Sequence, residues 1–259
     1  MIFYFSGTGN TRWAAKEVAK ATNEQLVYIP DVISGDCTFT LQPDERIGFV
    51  FPIHGWRPPV LVLKFISKLH IDHSGHYTYA LVTAGDSIGL AMDYLSRPLA
   101  EKGMHIDSAF SLIMPESYVG LPFMDVDPKE REKRKKQKAA ADLQRYISVI
   151  DKREKGVNEL IFGPLPGFFS GPVGSFFVKH LITDKPFHVD SDKCIGCGTC
   201  EKVCPVDDIS LIDYQEKKVP EWNHNGECLT CFSCYHHCPV KAIEYGHRTK
   251  HKGQYFFKL

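Results

Sequence analysis

Cys194-x2-Cys197-x2-Cys200-x3-Cys204-Pro205 is matched, 34 residues further on, by Cys228-x2-Cys231-x2-Cys234-x3-Cys238-Pro239. The two runs place eight of the nine cysteines in a window of 45 residues. The same offset superposes Val206 on Val240 and Ile209 on Ile243. The segment therefore reads as a duplicated half-domain related by a pseudo-two-fold, since a solenoid needs three or more repeats. Three thiolates spaced by two residues wrap one face of an iron–sulfur cubane, while the fourth, three residues on, points away. Zinc sites use four ligands in well-separated pairs, and disulfide frameworks belong to small secreted chains. Neither suits three consecutive spacings closed by Cys-Pro. The pattern predicts two [4Fe–4S] clusters.

A two-cluster module occupies only the last seventy or so residues, roughly one small domain. The 259-residue chain thus has room for a larger domain before it, and a hydrophobic content of 43% supplies a core. No apolar run reaches the length of a membrane span; Leu165–Val178 is apolar but broken by Pro166, Gly167, Gly171, Pro172 and Gly174. Met1–Phe5 reads as a strand and not as a secretory leader. The net charge is zero, which gives no pointer to nucleic acid, but it is unevenly spread. Phe187–Gly246 carries ten acidic residues against five basic, and Lys129–Lys138 seven basic against two acidic. The basic run reads first as a solvated helix face and second as a docking patch for an acidic redox partner. Reduced thiols and clusters together predict a cytoplasmic protein of an anaerobe.

Ahead of the cysteines, apolar runs at Ile2–Phe5, Leu26–Ile29, Ile47–Ile53, Tyr77–Thr83 and Phe110–Met114 read as buried parallel strands. Helical patterns lie between them at Thr11–Ala21, Pro59–Leu69 and Gly89–Lys102, with a longer one at Pro128–Lys155. This alternation predicts a doubly wound parallel α/β sheet of five strands. The first strand runs into Ser6-Gly7-Thr8-Gly9-Asn10-Thr11 and then a helix. Small residues let backbone amides curl around a phosphate at the helix N-terminus, and three hydroxyls add donors. Neither the Gly-Lys-Ser/Thr of a nucleotide P-loop nor a Gly-x-Gly-x-x-Gly is present. A monophosphate held by neutral hydrogen bonds suits the loop.

That loop resembles the flavin mononucleotide (FMN) phosphate loop of flavodoxins. Pro52-Ile53-His54-Gly55-Trp56-Arg57 resembles the loop whose Trp packs on the isoalloxazine. Thr83-Ala84-Gly85-Asp86-Ser87 resembles the loop whose backbone grips the pyrimidine edge of the ring. The cysteine runs resemble those of two-cluster ferredoxins, in which the fourth Cys of each run ligates the other cluster. The likeness implies Cys194, Cys197, Cys200 and Cys238 for one cluster, and Cys228, Cys231, Cys234 and Cys204 for the other. With both modules, though not the connector between them, the chain resembles the flavodoxin–ferredoxin fusion proteins of anaerobes. It implies a flavodoxin-like FMN domain at residues 1–157, a Gly/Pro/aromatic connector at 158–185, and a small α+β two-cluster ferredoxin domain at 186–259.

One departure concerns the second face of the flavin. Flavodoxins commonly place a Tyr just after the Gly-Asp-Ser stretch, where this chain has Ile88 and Gly89. Tyr118, beyond the last strand, is the substitute candidate; His54 is a candidate hydrogen-bond donor to the flavin. His236 and His237 read as the exposed face of a short helix, Cys37 as a small buried or loop residue, and the basic tail around His247 and His251 as a solvated terminus. The preferred function is electron transfer between the two clusters and FMN, exchanging electrons with other redox proteins. The alternative is an FMN-dependent reductase of a small quinone-like acceptor, fed through the clusters. No nicotinamide motif and no acid–base set favours a further enzyme class.

Overall fold

The computed structural model describes residues 1–258. Its central sheet is parallel throughout and contains β1 (Ile2–Tyr4), β2 (Leu26–Tyr28), β3 (Ile47–Pro52), β4 (Thr78–Ala84) and β5 (Ser108–Ile113). Their spatial order is β2-β1-β3-β4-β5, the doubly wound order of flavodoxin-like sheets. A two-residue strand, β6 (Asn158–Glu159), adds to the edge at β5. It makes the sheet six-stranded where five were expected, and it comes from the start of the predicted connector.

Side chains alternate across the sheet. Phe3, Phe5, Phe49, Phe51, Ala80 and Val82 face one layer; Ile2, Val50, Tyr79 and Leu81 face the other. Four main helices follow in chain order: α1 (Asn10–Thr22), α2 (Val60–Lys68), α3 (Ala91–Ala100) and α4 (Lys129–Asp151). Phe65 of α2 and Leu95 of α3 cover the first face, whereas Val18 of α1 and Leu143 of α4 cover the second. Each such Phe or Leu contributes about 1.5–3 kcal/mol by leaving water. On α4 the buried positions are Ala139, Leu143, Tyr146, Ile147 and Ile150, the helical stripe that the sequence presents. Among the described residues no helix is long and apolar enough to cross a membrane.

The connector forms helical turns, although only Ser170, Gly174 and Asp184 within it are buried. It passes through a single π-helical turn at Phe169–Val173 into α5 (Gly174–His180). Beyond it, β7 (Phe187–Val189) pairs antiparallel with β10 (Ile243–Tyr245), and β8 (Ile209–Tyr214) with β9 (Lys217–Trp222). Two short helices, α6 (Thr199–Lys202) and α7 (Ser233–His237), complete this ferredoxin-type α+β module. Its backbone repeats at the 34-residue offset: the left-handed residues Gly196, Gly198 and Asp207 recur as Thr230, Phe232 and Lys241.

The two modules share their cores. Val119 of the sheet module is buried with Phe187, Phe232 and Tyr245, and Leu229 of the cysteine module is buried in the core beneath β1 and β3. His236, expected on an exposed face, is instead 1% exposed. The basic tail also departs from expectation. His247 and His251 are exposed, but Lys252 donates to the carbonyls of Val119 (2.9 Å) and Leu121, and Phe257 stacks on Trp13 of α1 at 5.3 Å. The cause in each case is a partner distant in sequence, invisible to local patterning.

Candidate functional site

Strand order reverses between β1 and β3, and there the loops leaving the carboxyl ends of β1, β3, β4 and β5 enclose a cavity of about 450 Å³. Position and size are those of a cofactor site in an open α/β sheet. Among the residues singled out in the sequence, Ser6, Gly7, Thr8, Asn10 and Thr11 line it, as do the runs Pro52–Trp56 and Thr83–Ser87, and Tyr118. Gly9 stands behind the lining, as the left-handed N-cap of α1.

The first loop is shaped for an anion. Gly9 has φ +93°, and a Cβ there would meet the Phe257 carbonyl at 2.9 Å, so glycine is required. Its amide donates to Ser6 Oγ at 3.1 Å, curling the loop. Amides of the first turn of α1 have no intrahelical acceptors. Thr8 Oγ1 donates to Ser117 Oγ (3.2 Å), and Thr11 Oγ1 is 2.7 Å from Thr83 Oγ1, which ties this loop to the one after β5 and to the end of β4. Hydroxyls, helix N-terminal amides and the absence of a loop lysine form a donor set that fits a terminal phosphate.

The second loop is a tight turn. His54 N donates to the Arg57 carbonyl at 2.9 Å, and Gly55 and Trp56 between them have φ +57° and +58°. These are the signs of a type I′ turn. Positive φ is costly for so bulky a residue as Trp56, and the cost is met by what surrounds the turn. Trp56 Nε1 donates to Ser87 Oγ (3.3 Å) and its ring lies 4.8 Å from that of Phe169. Arg57 donates to the Ser170 carbonyl at 2.7 and 2.9 Å and to Ser175 Oγ at 2.6 Å, with its guanidinium 4.3 Å over the Tyr94 ring. Burial pushes the His54 imidazole down to about 4, so it is neutral near pH 7.

Arg57 thereby fastens the connector across the cavity. Phe169, Val173, Phe176, Phe177 and Leu181 form a wall of it, a role concealed in the sequence by the Gly and Pro content of this stretch. Tyr118 lies between Phe177 and Phe232, 5.3 Å from each. Two further residues at the cavity carry no distinctive local sequence signal. Glu116 lines the cavity, with Oε1 accepting from the amides of Ser117 (2.9 Å) and Tyr118 (2.8 Å), and burial raises its pKa. Lys135, from the basic run on α4, is not solvated: it donates to the Gly85 carbonyl at 2.7 Å and pairs with Asp127 at 2.6 Å.

The thiols form two groups. Cys194, Cys197, Cys200 and Cys238 line one small cavity of about 20 Å³, although Cys238 belongs to the other run. Around Cys234, the neighbouring thiols are Cys231, Cys228 and Cys204, whose proximity adds to burial in raising its pKa far above the ordinary thiol value. Burial takes Cys231 up to about 12. Such thiols ionise readily only with cations to compensate them, as iron would. Backbone amides point at the sulfurs: Ala242 N at Cys238 (3.2 Å) and, one repeat earlier, Asp208 N at Cys204 (3.3 Å). Cys231 also lines the large cavity, and a Cβ on Gly7 would stand 3.0 Å from Cys231 Cβ.

Residues 183–245 match the family of 4Fe-4S dicluster domains. Ferredoxin-3 of Nostoc is 37% identical over 65 residues, which are 20% of this chain and 67% of that protein. Through this segment the chain belongs to the 4Fe-4S dicluster family. The dicluster module binds 4Fe-4S clusters. It is also 33% identical over 63 residues (22% of the chain) to NAD(P)H-quinone oxidoreductase subunit I of Gloeobacter violaceus, of which the chain spans 30%. A ferredoxin of Pyrobaculum islandicum is 42% identical over 55 residues, 21% of the chain and 48% of that protein. A crystal structure from Bacteroides uniformis, of a protein provisionally assigned as a flavoprotein, covers 43% of the chain and is itself covered to 88%, with 21% identity and a TM-score of 0.34.

Proposed function

We propose that this chain is an electron-transfer protein in which two [4Fe–4S] clusters exchange electrons with FMN, and the assembly with other redox proteins. Cys194, Cys197, Cys200 and Cys238 hold the first cluster, and Cys204, Cys228, Cys231 and Cys234 the second. FMN occupies the 450 Å³ cavity, its phosphate on Ser6–Thr11, its ring among Trp56, the Thr83–Ser87 loop and Tyr118. The clusters supply one-electron steps and the flavin one- or two-electron steps. One observation carries the reading: Cys231, a ligand of the second cluster, lines the flavin cavity directly beside Gly7 of the phosphate loop.

The residues divide the remaining work. Gly7 and Gly9, lacking side chains, let the cysteine module and its tail close on the phosphate loop. Neutral His54 offers a hydrogen bond without adding charge. Phe169, Phe177 and Leu181 of the connector would cover one side of a bound flavin. Nine thiols, none of them disulfide-bonded, suit the reducing cytoplasm. We read residues 1–157 as the flavin domain, 158–185 as its cover and 186–259 as the cluster domain.

The test is anaerobic reconstitution with iron, sulfide and flavins. FMN should bind orders of magnitude more tightly than riboflavin, because each buried donor left unpaired costs about 1–3 kcal/mol. Flavin bleaching on addition of a one-electron donor should run at a rate independent of protein concentration. Equal affinity for riboflavin, or a rate rising in proportion to concentration, would overturn the reading. A second reading, reduction of a quinone-like acceptor at the flavin, is favoured by apolar residues at the cavity: Phe123 and Phe176 line it and are 83% and 58% exposed. Saturable turnover with a quinone, lost on shortening both side chains, would select it.

A further inference from the structure

We propose that Ser233 and His236, on the helix that carries Cys234, are positioning residues for the flavin loops, so that FMN binds tightly only when the second cluster is in place. The inference rests on the flavin and cluster assignments above and adds a linkage between them.

Ser233 Oγ donates to the Gly7 carbonyl at 3.0 Å, within the phosphate loop. His236 Nε2 is 2.6 Å from the Ser117 carbonyl, in the loop after β5. The other ring nitrogen, Nδ1, accepts the Tyr255 amide at 3.1 Å, so the proton resides on Nε2 and points at Ser117. One turn of helix therefore grips two of the four loops around the cavity, and both side chains are buried, Ser233 at 2% and His236 at 1% exposure. The strand of chain bonded to His236 continues the grip. Tyr255 Oη donates to Asn10 Oδ1 at 2.6 Å, and Phe257 N to the Thr8 carbonyl at 2.8 Å. Asn10 Nδ2 in turn donates to the Pro115 carbonyl at 3.1 Å, joining the two gripped loops to each other.

The helix itself is short. It spans five residues, Ser233–His237, and begins from Phe232 in the left-handed conformation. A helix of this length does not persist on its own propensity. Two ligands of the second cluster anchor its first turn, Cys231 two residues ahead of it and Cys234 as its second residue, and ligation of metal by such residues is folding free energy. Loss of the second cluster therefore loosens α7, and with it the hold on Gly7 and Ser117. By linkage the effect is reciprocal: bound FMN must protect the second cluster.

The experiment uses the full chain in cluster-loaded and iron-free forms, with FMN affinity read by quenching of flavin fluorescence. Cluster loading should tighten FMN binding about 10–100-fold, the usual range of such couplings. In Ser233→Ala and His236→Leu, at unchanged iron content, that ratio should fall towards one. His236→Gln, which keeps a donor at the same reach, should restore most of it. In the wild-type protein, saturating FMN should slow chelator removal of the second cluster more than of the first. A ratio near one in the wild type, with tight FMN binding in both forms, overturns the linkage alone. So does an undiminished ratio in Ser233→Ala and His236→Leu. Failure of the cluster-loaded wild type to bind FMN overturns the flavin assignment and the linkage with it.

Discussion

The two cysteine cages share one spacing and one local backbone, yet they face different surroundings. In the first, Cys197 is exposed, a hydrogen bond with Thr199 at 3.3 Å lowers its pKa, and neighbouring Ile195 is 60% exposed. At the equivalent place in the second, Cys231 abuts the phosphate loop and burial raises its pKa to about 12. Duplication copies what depends on local sequence, such as the left-handed residues at 196 and 230, 198 and 232, and 207 and 241. Docking against the sheet module then makes the copies unequal. One cage addresses solvent and the other addresses the cavity.

The largest effect should come from breaking the crossed assignment. Cys238→Ala lies in the second run but lines the first cage, so it should remove the solvent-facing cluster, about half of the iron, since two-cluster ferredoxins exchange their fourth ligands. Iron analysis and low-temperature electron paramagnetic resonance would detect it; loss of only the second cluster's signal refutes the crossing. Next, Gly7→Val forces atoms into a gap where even a Cβ sits 3.0 Å from Cys231. Overpacking of this kind costs up to about 3 kcal/mol. Stopped-flow should show slowed flavin bleaching while reduction of the first cluster is unchanged.

Arg57→Ala sharpens the comparison from the other side by freeing the cover. Removing a charged donor from the Ser170 and Ser175 acceptors should cost about 2 kcal/mol, and limited proteolysis should then cut within residues 163–176. The smallest effect is electrostatic. Glu116 has its pKa raised by burial, so its contribution is present below the unfolded value of about 4.3 and is lost as pH rises through the higher folded value. Glu116→Gln should therefore gain stability relative to wild type across that rise, by at most about 1 kcal/mol. Denaturation profiles that stay parallel from pH 4 to 8 would contradict it.

Much of the architecture was legible because its signals are local. The strands carry continuous apolar runs, α4 carries its stripe from Ala139 to Ile150, and the cysteine spacing specifies a dicluster module. The cavity loops were legible for a related reason: each follows directly from a strand end. What local sequence conceals depends on pairs far apart along the chain. Lys135 looks like any lysine of a basic helix until the Gly85 carbonyl is brought to it. His236 is buried only because Ser117 and Tyr255 arrive around it. In the connector, Pro166, Gly167, Gly171 and Pro172 suggest an irregular link, whereas the Arg57 clamp supplies the order that the local sequence withholds.

The contact between Tyr255 and Asn10 spans 245 residues of sequence. At 5–20 residues per second a ribosome makes the phosphate loop roughly 10–50 s before the segment that straps it. During that interval the sheet module can fold, but its ligand loop stays without its fastening. Folding during synthesis thus acquires an order: sheet first, strap last.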